Sequence, residues 1–340
     1  MEHCLVDEIN RIIYIDFDNN RDAAFDNVAS FVYEVSRKEW TAYFLNLVEG
    51  EIFVGKQDIF IERINDLARH FGNSIFYNSN VILKEEFEYE KYPFINRLEM
   101  YPYGLLNRTR WLESIDQGIK RYRQTQITKH FICMNGAAKF YRAKLYNDLI
   151  GYGLENISHI SWMNRYGTLP EKVNERLLYV DTNVIRSLDT DDLDEVGGTQ
   201  DKLTKYYSDA AIDLFVESVS ENNSVIFPTE KTWKPILVKK PFLVFSSKGF
   251  YKWMKTEDFV LYDELFDYSF DDIEDHEERY QKYFDNIVRI SKMSISELNN
   301  AVNEISSKLQ HNAIVAKSKN YIPNELVPFS DHTKMLWQAK

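Results

Sequence analysis

With 340 residues, 44% of them hydrophobic and 15% aromatic, the chain is long enough for two domains and apolar enough to bury a core, which excludes a disordered protein. A formal net charge of −12 excludes a protein that coats nucleic acid regardless of sequence, because neutralising phosphates takes an excess of Lys and Arg. Two cysteines, Cys4 and Cys133, exclude a disulfide framework and a thiolate metal cluster. The N-terminal residues lack the basic and apolar regions of a secretory signal, and no apolar run reaches the length of a bilayer span. The expectation is therefore a cytoplasmic protein, peripheral at most to any membrane.

In chain order the pattern alternates strand and helix, which predicts an α/β fold. Arg11–Phe17 reads as a short β-rich run, Arg21–Lys38 as a helix and Trp40–Leu47 as a second strand. A helix is predicted from Gln57 to Phe71, closed by Gly72 in the left-handed conformation, followed by a strand over Ser74–Tyr77. The pattern loosens between Leu83 and Leu112.

A second series begins with a strand at His130–Met134, a turn at 135–138 and a helix over Lys139–Ile150. Strands are predicted at Ile157–Trp162, Arg176–Val180, Ala211–Val216 and Val225–Phe227. A short helix, a strand at Pro241–Phe245 and two helices near Asp275–Ser291 and Ser294–Gln310 follow. Two α/β halves meeting near residue 125 predict a cleft at the carboxyl ends of both sheets, where ligands of such sheets bind. The first domain is expected over 1–125 and the second over 126–320. The segment 321–340, with Leu326, Phe329, Leu336 and Trp337, is expected to pack back on the body.

The densest chemistry lies in Val225–Pro235. Proline belongs in the first turn of a helix, so Pro235 places Thr232 as the N-cap. Thr229, Glu230 and Lys231 then fall in the strand-to-helix turn, where free N–H groups and the helix dipole attract a phosphate and where Lys231 and Lys234 add charge. The competing reading is a solvated cap, common for a Glu-Lys pair. Asn135, in the turn after a core strand, and Arg142, about a helical turn further on, form a second cluster. The Arg142 fork suits a pyrophosphate, although a lone helical arginine is more often a surface residue.

These residues carry a resemblance. The segments His130–Trp162 and Asn223–Phe266 resemble the donor half of GT-B glycosyltransferases. In particular they resemble a viral and bacterial group with a strand, an Asn, an Arg-bearing helix and a later Thr-Glu-Lys turn followed by Pro-Phe. They are similar also to the donor domain of the α-1,3-fucosyltransferase family. The likeness covers most of 126–290; the first 125 residues match no nameable family. Two departures stand out: the turn Gly136-Ala137-Ala138 is less polar than in the family, and the helix opens with Phe140-Tyr141-Arg142.

The resemblance implies two Rossmann-like domains with a cleft between them, and a metal-independent enzyme that needs no cofactor beyond its nucleotide-sugar donor. It also implies that Arg142 and Lys231 hold the diphosphate and that Glu230 contacts the nucleoside or sugar. Direct displacement with inversion of the anomeric centre, as the resemblance implies, would rest on fixed positive charge at the leaving group and a carboxylate base. Asp16 and Asp18, at the end of the first strand, are the candidates; the alternative is a turn that caps the next helix. Glu49 and Glu51 have no better claim. Asp16-Phe17-Asp18 also permits a rival metal-dependent GT-A reading, and Asp189-Thr190-Asp191 a weaker one.

For the acceptor, two classes remain, a glycan and a hydroxymethylated base of viral DNA. Between Arg97 and Lys144 ten basic residues face three acidic ones. Arg108, Arg110, Trp111, Arg121 and Arg123 there combine phosphate-pairing charge with a ring on which an extruded base can stack. An exposed basic helix is the plainer alternative. A non-catalytic protein that only binds a nucleotide or a partner is the remaining one.

Overall fold

The computed structural model describes residues 4–16, 25, 26, 29, 37–46, 57–78, 81–82, 89–100, 126–135, 139–162, 206–221 and 225–318. The chain divides into two compact units, one of Met1–Leu106 with Ser224–Thr229 and Asn320–Lys340, the other of Asn107–Asn223 with Glu230–Lys319. The boundary expected near 125, the strand expected at Arg176–Val180, the segment 321–340 and most of the helix expected at Arg21–Lys38 lie outside the described residues, and the last two residues of that expected helix, Arg37 and Lys38, are strand.

The first unit is built on a sheet of β1 (Cys4–Asp7), β2 (Ile12–Asp16), β3 (Arg37–Asn46), β4 (Phe71–Asn78) and β6 (Arg97–Met100), with β5 (Val81–Ile82) paired separately to a strand described below. Strands β2, β3, β4 and β6 run parallel and in chain order, while β1 folds back antiparallel on β2. Helix α1 (Gln57–Ala68) carries Phe60, Ile61, Ile64, Leu67 and Ala68 on one stripe, the i, i+1, i+4, i+7, i+8 spacing of a helix face. That stripe packs on Ile13, Ile15, Phe44 and Phe76 of the sheet, and all nine residues are buried. Each such side chain contributes roughly 1.5–3 kcal/mol by leaving water.

The helix over Gln57 ends at Ala68, not at Phe71, and Gly72 lies inside β4. Glycine is needed there because a Cβ would run into the carbonyl oxygen of Lys38 on β3, beside the irregular register between Arg37 and Thr41. Close backbone approach, not helix termination, explains the residue. Strand β6 emerges from the stretch whose pattern loosens; its neighbour Asn96 accepts from the Ser74 N–H at 2.7 Å and donates its own N–H to the Ser74 carbonyl.

The second unit holds four parallel strands, β7 (Lys129–Asn135), β8 (Ser158–Trp162), β9 (Ala210–Val216) and β11 (Phe242–Phe245), in the order β11-β9-β7-β8. The two-residue β10 (Val225–Ile226), counted with the first unit, pairs with β5. Helix α2 (Phe140–Gly151) links β7 to β8, and α3 (Glu230–Val238) precedes β11. Then come α4 (Phe250–Thr256), α5 (His276–Ser291), α6 (Ile295–Glu304) and α7 (Ser306–Ser318).

Parallel strands covered on both faces read as continuous apolar runs, and every residue of β9 and β11 is buried. On one face Phe245 meets Tyr141 of α2 and Tyr280 and Tyr283 of α5, with ring centres 4.7, 5.3 and 5.6 Å away. Helices α2 and α5 are joined by the Tyr280 hydroxyl donating to Asp148 at 2.8 Å and the Tyr141 hydroxyl donating to Glu277 at 3.1 Å. Ser294 and Glu297 form a capping box at the start of α6, a device worth about 1 kcal/mol. The single helix expected over Ser294–Gln310 is two, broken at Ile305.

Candidate functional site

The strand order of the second unit places a reversal between β7 and β9: the chain moves outward from β7 to β8, then returns to the other side of β7 for β9 and β11. At such a switch point the connections leave in opposite directions and open a crevice at the carboxyl ends of the strands, where α/β sheets bind ligands. Asn135 ends β7, and Glu217 follows the last residue of β9, extending the sheet by donating its N–H to the Phe245 carbonyl at 3.0 Å.

Asn135 is a strand residue, not a turn residue, and is buried. Its Nδ2 faces the Ser161 carbonyl of β8 and the Cys133 Sγ, both at 3.4 Å, so it stitches β7 to β8. Burial pushes the Cys133 thiol up to about 12, which leaves it a packing group and not a nucleophile.

Arg142 is only 4% exposed, so the surface-helix reading fails. Its Nε donates to the Val216 carbonyl at 3.3 Å and its Nη2 to Ser218 Oγ at 3.2 Å. Lys139, the residue before α2, donates from Nζ to the Ser218 carbonyl at 2.9 Å. Arg279 of α5, also buried, donates to the Ser220 carbonyl at 3.1 Å and the Ile273 carbonyl at 2.8 Å. Three cations thus converge on the loop 216–220 at the reversal of strand order. Of the three, the sequence pattern singles out Arg142 alone.

Helix α3 begins at Glu230, two residues before the expected cap, so Thr232 lies within its first turn and Pro235 stands inside the helix. The reason is a long-range bond invisible to local pattern. Thr232 Oγ1, fully buried, donates to Glu217 Oε1 at 2.5 Å, and the other carboxylate oxygen accepts from the Ser218 N–H at 3.3 Å. Glu230 and Lys231 are the first two residues of α3, and Lys231 is half-buried; Thr229, fully buried, precedes them and is counted with the first unit.

Lys234 is drawn elsewhere. Its Nζ lies 4.1 Å from the centre of the Tyr207 ring, whose hydroxyl donates to Asp213 in the middle of β9. Lys240 Nζ sits 5.0 Å from the same ring and bonds the Ala210 carbonyl. The structure therefore gathers Asn135, Arg142 and the start of α3 around the ends of β7 and β9, and sets Lys234 in a separate buried cluster. Asp16 closes β2, in register with Leu45; Asp18, Arg108, Arg110, Trp111, Arg121 and Arg123 lie outside the described residues.

Burial pushes the Asp213 carboxyl up to about 6, against the opposing pull of Lys234, the Tyr207 hydroxyl and Lys240. Burial likewise pushes Lys240 down to about 8, opposed by Asp213 and Asp209. Because the folded pKa of Asp213 stands above its ordinary 3.8, the native state binds more protons than the unfolded chain between pH 4 and 6. Its contribution is therefore fully present below about pH 4 and lost as pH rises to about 6. Urea titrations from pH 4 to 7 on Asp213→Asn should show a shallower fall of stability over that interval than the wild type. An identical slope would remove Asp213 as its source.

Among the described residues no group of three or more His, Cys, Asp or Glu is arranged to hold a metal, and no helix is long and apolar enough to cross a membrane. Comparison with family models, with curated proteins and with solved structures finds no match for this chain.

Proposed function

We propose that the second unit binds the diphosphate of a nucleotide sugar at the carboxyl edge of its sheet, and that the protein is a metal-independent glycosyltransferase of the GT-B kind. One observation carries the reading: at the reversal of strand order between β7 and β9, the cations Lys139 and Arg142 meet on the 216–218 loop, and that loop is bonded to the first turn of the helix that begins Glu230-Lys231. Cations and a helix start at a switch point suit an anionic leaving group, because fixed charge and oriented N–H groups stabilise a departing diphosphate without reorganising. Lys231 and Arg142 are assigned to the diphosphate and Glu230 to the nucleoside or sugar. For the acceptor proton the sequence offers Asp16 and Asp18, and the acceptor is a glycan or a hydroxymethylated base of DNA.

A second reading, a nucleotide-binding protein without transferase activity, uses the same cluster: the Lys139 and Arg142 charges at the 216–218 loop would hold a nucleotide with or without transfer of its sugar. Thermal unfolding with UDP, GDP, CDP and ADP, in magnesium and in EDTA, tests both. A ligand at about a hundred times its Kd adds about 2.7 kcal/mol to the native state. The expected result is stabilisation by one nucleoside diphosphate equally with and without magnesium, and slow release of free sugar from the matching sugar nucleotide. Stabilisation without sugar release would favour the second reading. No stabilisation by any of the four would overturn both.

A further inference from the structure

Glu217 is 0% exposed and makes no part of the family likeness, yet it stands at the reversal of strand order with both oxygens engaged. A carboxylate is taken wholly out of water only where its partners repay the desolvation. Its principal partner, Thr232, belongs to the first turn of α3, a helix of nine residues. That helix has a built-in weakness. Pro235 has no N–H, so the bond that an α-helix would close onto the Lys231 carbonyl is never made, and its ring presses on the same turn. The first turn of α3 is consequently held less by its own helix than by what it touches.

We infer that Glu217 is a positioning residue: through Thr232 it anchors the first turn of α3 against the end of β9, and so fixes the direction in which Lys231 and the backbone N–H groups of the helix start present themselves. The inference rests on the proposed reading only in so far as the ligand is a diphosphate; the anchoring itself stands on the geometry. The donor is the Thr232 hydroxyl and the acceptor the Glu217 carboxylate. The distance of 2.5 Å is at the short end of the range for hydroxyl-to-carboxylate bonds, which are about twice as strong as neutral ones. The same carboxylate near a helix start is favoured by the dipole of that helix.

Hydrogen exchange and nucleotide affinity of the full-length protein test it with Thr232→Val, Thr232→Ser and Glu217→Gln. The amides of Lys234, Ile236 and Leu237 close the first helical bonds and report opening of the turn. In the ligand-free protein Thr232→Val should speed their exchange about tenfold or more, a change of about one decade in the opening equilibrium. The amides of α5 should stay as in the wild type. Thr232→Ser keeps the hydroxyl and should hold exchange to within about threefold of the wild type. Glu217→Gln keeps one neutral acceptor oxygen but turns an NH2 toward the Ser218 N–H, and should fall between Thr232→Ser and Thr232→Val. The affinity for whichever of UDP, GDP, CDP or ADP binds the wild type should fall about tenfold in Thr232→Val and be rescued in Thr232→Ser.

Wild-type exchange in Thr232→Val would overturn the anchoring. Faster exchange with unchanged affinity would leave Glu217 a stability residue and overturn the positioning role. If none of the four nucleotides binds the wild type, the functional reading fails, and the exchange measurement alone decides whether Glu217 anchors the turn. Should Thr232→Val fail to fold, Thr232→Ser against Thr232→Ala gives the same comparison with a smaller perturbation.

Discussion

Gly72→Ala is expected to destabilise the first unit by about 3 kcal/mol or more, at the upper end of what overpacking costs. The obstacle is backbone: the added Cβ would lie 2.0 Å from the carbonyl oxygen of Lys38, and an oxygen held in a strand cannot rotate aside as a side chain does. Relief requires β3 and β4 to separate where their register is already irregular, between Arg37 and Thr41. Both strands carry the core that α1 covers, so the loss should appear as an earlier urea transition in that unit. A midpoint shift worth less than about 0.5 kcal/mol, the size of an ordinary surface change, would show that the two strands do not approach so closely at this position.

Arg142→Ala carries the second large effect, and it is double. Removing the guanidinium strips the Val216 carbonyl and Ser218 Oγ of a charged donor at a buried site, which should cost about 1.5–3 kcal/mol. On the proposed reading it should also abolish stabilisation by the nucleoside diphosphate. Arg142→Lys separates the two effects. A single ammonium keeps the charge but cannot span two acceptors, so it should recover part of the nucleotide response and little of the stability. Calorimetry of the three proteins with and without the nucleotide makes the comparison. Undiminished binding by Arg142→Ala would remove this residue from the diphosphate site.

The elements legible in the sequence are those whose partners are local or whose pattern is strong. The apolar runs of β7, β8 and β9 were readable as buried strands to within a residue or two, and Asp275 was readable as the start of α5, where its side chain caps the Glu278 N–H. The edge strand β1 and the four residues of β6 lack a periodic stretch long enough to register. Gly72 fits a helix end and a strand equally well in the sequence, because closing a helix and admitting a neighbouring strand demand the same residue type, and only the tertiary contact tells them apart.

The candidate site divides along the same line. At the level of local structure Asn135 and Arg142 are legible as residues at a strand end and in the helix that follows, and Glu230 and Lys231 as residues near a helix start, although Asn135 is strand and not turn and α3 starts two residues before the expected cap. Glu217 is not legible, since its partner Thr232 lies fifteen residues further along and the sequence between them gives no sign of the bond. A signal did exist. Asp213 and Glu217 interrupt or end an otherwise apolar strand, and a carboxylate in a strand with no exposed residue demands a buried partner. The two acids thus signal that each has a buried partner, but only the fold identifies these as the Tyr207 and Thr232 hydroxyls.

Asp213 and Glu217 are four residues apart, so the two-residue alternation of a strand sends both side chains to one face of β9, the face of Thr232 and Tyr207. A slip of one residue in the pairing of β9 would invert that parity and turn both acids toward the side where Phe245 meets the rings of Tyr141 and Tyr280. Apolar strands by themselves are tolerant of such slips, because one valine or leucine replaces another at little cost. The two acids make β9 intolerant: they write a threading rule into a strand that hydrophobicity alone would leave ambiguous. Mis-threaded chains are thereby penalised during folding, before any ligand is met.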